Sequence, residues 1–347
     1  MFLAAFLGAW IYIRWLALPT NVPDFTVFYA AGKPGPIYDV EWLTAQQHVP
    51  GHLRPYAHPP TVLLLLRPIA VFPFPVAFAL WAALGAATLV EGAVRLAPRS
   101  WWLIGLSAPV FVALALGQMS VLVGGLIALG FYLLPRPLLA GVAFGLAASI
   151  KPQLLMLVPV GLLLWGQPRA VLAMGATGLA VIAASLTLGP HLWIDWLQAL
   201  PRFARINADI GLMGTAPAMP WRLLILAGAV VLMVACRAAD TATKAVVTLA
   251  ATLFTAPHVS IYDFAILAPA LAAANLPLGP RTPAALVPLL VAGMPWWGYG
   301  VASVWTVLAE RLGRIGGIGA RLGRSAGAAR YPKPFIAAFR SRTAGTP

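Results

Sequence analysis

Charged side chains are scarce in this 347-residue chain, at 9% of its residues. An ordinary soluble domain carries about a quarter charged residues, and about half of it is apolar. Here 61% of the residues are hydrophobic, and a soluble protein of that composition could not cover its surface with polar groups. A lipid bilayer removes that demand because it solvates an apolar outer face. The shortage of charge therefore excludes a soluble fold and predicts a polytopic integral membrane protein.

Cysteine is almost absent as well, since Cys236 is the single copy. This excludes an internal disulfide and a cysteine-based metal site. The sequence also lacks an Asp-x-Asp pair and a glycine loop that could cradle a phosphate. His48, His52 and His58 share one polar segment but have no acid cluster beside them, so we expect neither a metal site nor a cofactor.

The net charge of +14 is concentrated near the end of the chain, because eight of the 23 Lys and Arg lie beyond residue 310. A basic segment next to a membrane span is typical of contact with anionic lipid head groups. Membrane lipids, and not a nucleic acid, are therefore the expected partners. The division predicted is a transmembrane domain over 1–310 and a disordered basic tail over 311–347.

Apolar runs broken by Pro, Gly and charge fill most of the first 310 residues. The first, about 1–18, lacks the basic start and cleavage site of a signal peptide, which favours a retained span. The runs suit about ten or eleven spans of about 20 residues, and so predict an all-α transmembrane bundle. Gly141 and Gly145 form a G-x-x-x-G pair, which favours close helix packing. The remaining runs are 60–72, 74–94, 101–117, 119–134, 138–150, 153–166, 169–188, 221–236, 245–257, 260–275 and 284–309.

Two polar segments, 19–59 and 189–220, separate these runs, and the charge of the short loops orients them. If 19–59 lies outside the cytoplasm and 60–72 does not cross, the short inner loops hold seven Lys and Arg. The short outer turns then hold only Lys151. All five histidines and six of the nine acids fall on the outer side, which predicts an extracytoplasmic site.

Asp24 directly follows the first span, at the depth where lipid meets water. A carboxylate placed there suits a general base. Asp is also a favoured helix N-cap, and Asp24 opens an apolar segment that continues to Gly32. The spacing leaves both interpretations open.

Lys151 and the pair His258 and Asp263 lie at turns between apolar runs. A lysine there suits a lipid phosphate as a point charge, or it extends its charged end to the membrane surface from the end of a span. His258 and Asp263 are five residues apart and could share a site, with the histidine donating to a phosphate or a sugar. The alternative for Asp263 is a helix cap.

An ordered set of short motifs over about residues 20–275 resembles glycosyltransferase family 87. The motifs are Asp24-Phe25 with Tyr29-Ala30-Ala31, Pro36-Ile37-Tyr38-Asp39, Tyr56-Ala57-His58-Pro59-Pro60, Gly117-Gln118, Ala140-Gly141 through Lys151-Pro152-Gln153, and Pro257-His258 with Tyr262-Asp263. The resemblance implies a GT-C-type bundle with helices in its outer loops. It also implies a polyprenol-phosphate-mannose-dependent mannosyltransferase of the bacterial inner membrane, similar to the phosphatidylinositol mannoside mannosyltransferase of mycobacteria.

The same resemblance implies a role for each matched position. Asp24 would be the catalytic base, and Lys151 and His258 would surround the donor phosphate. Further substrate-binding residues would be Tyr29, Tyr56, His58, Gln118, Gln153, Tyr262 and Asp263. This chain is short for the family and shows no clear span after residue 310, so the acceptor side is where it departs from the pattern.

The expected activity is inverting transfer of a hexose from a polyprenyl-phosphate donor to a lipid or glycan acceptor. Two other classes remain open from the sequence. A lipid or solute transporter would also be polytopic, but it should place ionisable groups in mid-span beside broken helices. A non-catalytic membrane scaffold would need no acids gathered on one face.

Overall fold

A computed structural model of the chain describes residues 24–47, 54–209, 214–215, 221–256 and 258–274. Helices make up nearly all the regular structure in these segments, so the expectation of a helical fold is confirmed. Several predictions fall outside the described residues: the first span over 1–18, the run 284–309, the tail 311–347, and the residues His48 and His52.

The described segments fold into α-helices joined by short turns and 3₁₀ helices. The α-helices are α1 (Phe25–Ala31), α2 (Val40–Gln46), α3 (Leu63–Ile69), α4 (Phe74–Leu96), α5 (Ala108–Leu116), α6 (Ser120–Tyr132), α7 (Pro137–Ile150), α8 (Val158–Leu164), α9 (Pro168–Leu186), α10 (His191–Asp209), α11 (Trp221–Ala235), α12 (Thr241–Thr255) and α13 (Ala268–Ala273). The 3₁₀ helices are Pro60–Val62, Trp101–Leu106, Pro152–Leu155 and Ile261–Leu267. Two short strands, β1 (Gly214–Thr215) and β2 (His258–Val259), pair in antiparallel register.

The apolar runs that fall within the described segments coincide with helices, and two of the helices described there are long enough to cross a membrane. Helix α4 has 23 residues and α9 has 19, both strongly apolar. At about 1.5 Å per residue they measure about 35 and 29 Å, close to the roughly 30 Å of a bilayer's hydrocarbon core. Seven other apolar helical stretches are shorter, at 10–17 residues. Proline at the first turn sets where α7 and α9 begin, since its fixed φ suits that position.

Small residues bring the central helices together. A Cβ on Gly92 of α4 would lie 2.5 Å from the carbonyl oxygen of Gly125 in α6. A Cβ on Gly141 of α7 would lie 2.4 Å from the carbonyl oxygen of Ala170 in α9, and one on Gly145 would lie 2.6 Å from Thr177. The close packing predicted from the G-x-x-x-G pair is therefore confirmed.

Both polar segments contain helices that pack onto the bundle. Helix α10 leaves Ile194 and Leu197 exposed along one side, a pattern typical of a helix lying at a membrane surface. Arg202 of α10 forms an ion pair with Glu41 of α2. Trp196 of α10 donates through Nε1 to the carbonyl oxygen of Ala57 at 3.2 Å. Helix α10 is thereby attached to the segment that carries Tyr56 and His58.

Helix α6 lies at the centre of the described bundle and is buried along almost all of its length. The 3₁₀ helix Ile261–Leu267 crosses it closely, because a Cβ on Gly124 would lie 3.2 Å from Cα of Ile266. The beginning of α6 at Ser120 is therefore enclosed by neighbouring elements, and the candidate site is built around it.

Candidate active site

A tight turn between α5 and α6 directs two polar side chains to different neighbours. Gly117 ends α5 with a φ of 67°, and its carbonyl oxygen accepts a hydrogen bond of 2.8 Å from Nε1 of Trp81. A Cβ at Gly117 would lie 2.7 Å from Cβ of Phe25, so only glycine suits both the conformation and the space. Gln118 and Ser120 follow, and they reach two separate clusters.

The first cluster surrounds Asp24. One carboxylate oxygen of Asp24 pairs with Nη2 of Arg54 at 2.5 Å, and the other accepts from Nε2 of Gln118 at 2.6 Å. Asp24 occupies the N-cap position of α1, but its backbone is helical (φ −62°, ψ −20°) and its carboxylate caps no amide among the described residues. The Asp24 side chain is 24% exposed. Its carboxylate is therefore fixed by distant parts of the chain while remaining partly exposed.

The second cluster is an ion pair between Lys151 and Asp263, with side chains 5% and 1% exposed. The Lys151 Nζ lies 2.6 Å from Oδ1 of Asp263 and donates to Oγ of Ser120 at 3.0 Å. The Ser120 hydroxyl donates to the same Asp263 oxygen at 2.5 Å. The other Asp263 oxygen accepts from the backbone N–H of Ser260 at 3.0 Å, as half of a capping box. Asp263 is therefore both a helix cap and the partner of Lys151.

His58 and His258 border the second cluster. Nδ1 of His58 lies 3.4 Å from the carbonyl oxygen of Ile150, the residue before Lys151. Burial, and next the charge of Lys151, lower the pKa of His58 to about 3, so its ring is neutral at neutral pH. Burial is also the main cause that lowers the pKa of His258. Since His58 interacts electrostatically with Lys151, Asp263 and His258, these groups occupy one neighbourhood.

The remaining predicted residues divide between this neighbourhood and other places. The ring of Tyr262 lies 5.0 Å from the Lys151 Nζ. Tyr56 is fully buried beside His58, and its hydroxyl has no hydrogen-bond partner among the described residues. Gln153 is half-buried in the 3₁₀ helix that follows Lys151. Tyr29 points elsewhere, because its hydroxyl donates to the carbonyl oxygen of Phe72 at 3.0 Å.

Two residues at the centre of these clusters, Arg54 and Ser120, are not predicted by the sequence. Arg54 is separated from Asp24 by 30 residues, and Ser120 from Asp263 by 143. No local motif marks either residue. The available signals were weak: a cation in the same polar segment as Asp24, and a hydroxyl two residues after Gln118.

Comparison with known proteins gives one finding. A family model described as glycosyltransferase family 87 matches residues 56–260, more than half of the chain. No curated protein and no solved structure matches this chain. Asp24 and Arg54 precede the matched range, and Asp263 follows it. Inside the range lie Tyr56, His58, Gln118, Ser120, Lys151 and His258.

We expect the protein to lose stability when only one partner of the ion pair between Lys151 and Asp263 is replaced. Lys151→Met leaves a buried carboxylate without its cation, and such a loss costs about 3–5 kcal/mol. The double variant Lys151→Met with Asp263→Leu removes both charges and should be more stable than Lys151→Met alone. Denaturant unfolding of the purified protein in detergent measures both.

The matched control for this pair is Glu91→Gln, which breaks an exposed i, i+4 pair with Arg95 and should change stability little. Equal stability of the Lys151→Met variant and the unmodified protein would contradict the buried-pair interpretation.

Stability should also fall on acidification because of His58. With a folded-state pKa of about 3, the unfolded chain binds a proton near pH 6.5 that the folded protein takes up only near pH 3. Within this window stability decreases as pH falls, by at most about 1.4 kcal/mol per pH unit. Thermal midpoints between pH 7.5 and 5 should therefore decline less steeply for His58→Gln than for the unmodified chain.

The exposed His191→Gln serves as the control in the same titration. Parallel pH profiles for His58→Gln and the unmodified protein would show that His58 does not resist protonation in the folded state.

Proposed function

Because the chain belongs to glycosyltransferase family 87, we propose that it transfers a hexose, specifically mannose, from a polyprenyl-phosphate donor to a lipid or glycan hydroxyl with inversion. The family makes the chain a membrane glycosyltransferase, with a sugar donor and an acceptor as its substrates. The donor, the sugar and the membrane face belong to the proposal.

The observation that supports this reaction is the placement of a partly exposed carboxylate near a buried ion pair that contains a lysine. Gln118 contacts Asp24, and Ser120 contacts Lys151 and Asp263. Two residues of chain span at most about 7 Å between Cα atoms. Inverting transfer needs a base beside the acceptor hydroxyl and hydrogen-bond donors beside the departing phosphate. These two sets of groups must be close enough for one sugar ring to lie between them.

In the proposed reaction Asp24 takes the proton of the acceptor hydroxyl while the acceptor oxygen attacks the anomeric carbon of the donor sugar. The new C–O bond forms as the bond to the phosphate oxygen breaks, and the polyprenyl phosphate leaves with the electron pair. One carboxylate is sufficient because this leaving group departs as an anion, unlike the leaving groups of the two-carboxylate glycoside hydrolases.

Lys151 and His258 are the proposed contacts of the leaving phosphate. The Lys151 ammonium has three N–H donors, of which two are directed at Asp263 and Ser120, so one remains for a phosphate oxygen. A donor aimed at developing negative charge in a water-poor site stabilises the transition state. The apolar helices over 101–188 would accommodate the polyprenyl chain.

We place this site on the extracytoplasmic face of a multi-pass bundle of about ten or eleven spans. The support is the loop-charge pattern of the sequence, the two span-length helices α4 and α9, and the surface character of α10. All the candidate site residues then lie at the end of the bundle that carries α1, α2 and α10.

A topology reporter tests that placement. An alkaline phosphatase fusion after Asp39 should be active, because this enzyme requires an oxidising compartment, whereas a fusion after Arg136 should be inactive. An inactive fusion after Asp39 and an active fusion after Arg136 would place Asp24 in the cytoplasm. That result would contradict a donor bound at the outer face of the membrane.

Replacing Asp24 tests the chemistry. Asp24→Asn keeps the shape of the side chain but cannot accept the proton, and loss of a general base costs about 10²- to 10⁴-fold in rate. The assay incubates purified protein with polyprenyl-phosphate-mannose and a membrane lipid extract, and detects the glycolipid product by mass.

The matched control is Asp39→Asn, because Asp39 caps α2 through its carboxylate and Asn is an equally good cap. This variant should transfer normally. Full activity of Asp24→Asn would exclude Asp24 as the base, and uptake of a solute without product would favour a transporter.

A further inference from the structure

We propose that Arg54 is a positioning residue for the Asp24 carboxylate, an inference that rests on the function proposed above. Nη2 of Arg54 contacts Oδ1 of Asp24 at 2.5 Å, and Nη1 donates to Oγ1 of Thr26 at 3.2 Å. The guanidinium group therefore contacts two side chains at the beginning of α1, one through each of its terminal nitrogens. Its side chain is 15% exposed, so the pair is largely shielded from water.

Arg54 is itself held by α2 and the residue that ends it. The backbone N–H of Arg54 donates to Oγ1 of Thr44 at 3.1 Å, and its carbonyl oxygen accepts from Nε2 of Gln47 at 3.2 Å. The same Gln47 nitrogen donates to the carbonyl oxygen of Leu43, and the Thr44 hydroxyl to that of Val40. Both backbone polar groups of Arg54 are thus fixed by side chains of α2 and of its C-cap residue.

This arrangement supplies a constraint that α1 does not provide. The Asp24 carboxylate makes no capping bond in the described segments, so its own helix leaves its rotation free. Gln118 holds one oxygen and Arg54 the other, which fixes the plane of the carboxylate. Each oxygen retains a lone pair, so a substrate hydroxyl can still donate to one of them.

The geometry calls for arginine specifically. A planar guanidinium presents several N–H groups in a rigid fork and reaches Asp24 and Thr26 together. A lysine would supply the charge but not the two fixed directions. Because errors of about 1 Å in placing a reacting group can cost about 100-fold in rate, loss of Arg54 should act on turnover and not on donor binding.

The test compares steady-state kinetics of the purified full-length protein, with polyprenyl-phosphate-mannose as the varied substrate. Arg54→Ala should lower kcat about 100-fold while the donor KM changes less than about twofold. Arg54→Lys should recover about tenfold of that loss, since it restores charge without the fork. Methylguanidinium in the assay should partly restore Arg54→Ala but not Asp24→Asn.

Arg205→Ala is the matched control, because Arg205 is an exposed arginine of α10 outside both clusters. Thr44→Val is a second route, since it removes a backbone anchor of Arg54 without touching Asp24. It should lower kcat several-fold, and the protein should stay folded because each hydrogen bond lost with the Thr44 hydroxyl contributes only modestly to stability. This keeps the test valid if Arg54→Ala fails to fold.

Two results would overturn the positioning role: an unchanged kcat for both Arg54→Ala and Thr44→Val, or a raised donor KM at constant kcat, which would make Arg54 a donor contact. The proposed function fails separately. Full activity of Asp24→Asn removes the base itself, whereas an inactive Asp24→Asn beside a fully active Arg54→Ala removes only the role of Arg54.

Discussion

The buried ion pair between Lys151 and Asp263 is the interaction on which the site depends. Removing two charges from water is expensive, and their attraction offsets that cost only when further hydrogen bonds satisfy both groups. Here the Ser120 hydroxyl and the Ser260 N–H supply those bonds. The pair therefore joins the end of α7, the start of α6 and the 3₁₀ helix Ile261–Leu267 in one arrangement. A shift of the end of α7 or of the 3₁₀ helix would leave a charge buried without its partner, and a shift of α6 would remove the Ser120 hydroxyl from both charged groups.

That constraint extends to Asp24 through the turn at Gly117. Ser120 is fixed by the ion pair, and Gln118, two residues earlier, is directed at the Asp24 carboxylate. The Trp81 hydrogen bond to Gly117 and the contact with Phe25 hold the turn against α4 and α1. The two halves of the site are thus parts of one framework, joined by the backbone from Gln118 to Ser120.

The sequence predicted the local features of this protein and missed the pairings between distant segments. Apolar runs located the described helices outside the two polar segments, and Gly141 with Gly145 located a close helix contact, because both signals depend on neighbouring residues. Residue type and position point to Asp24 and Lys151, and resemblance to the family points to these two residues and to Gln118. Arg54 and Ser120 are not predicted by the sequence, because their roles depend on distant contacts. Arg54 contacts a residue 30 positions away, and Ser120 contacts one 143 positions away. Single-sequence patterns carry no information on such contacts.

The charge arrangement restricts how the proposed donor can be bound. Asp24 is neutralised by Arg54, and Lys151 by Asp263, so each cluster is close to neutral before a substrate arrives. An anionic polyprenyl phosphate therefore meets no unpaired cation in these two clusters. Its recognition would depend on directed N–H donors and on burial of its apolar chain, with long-range attraction contributing little. The same neutrality favours departure of the phosphate after transfer, because a free cation in a water-poor site would hold the product strongly. Pairing of the site's own charges is thus consistent with repeated turnover on a lipid-linked substrate.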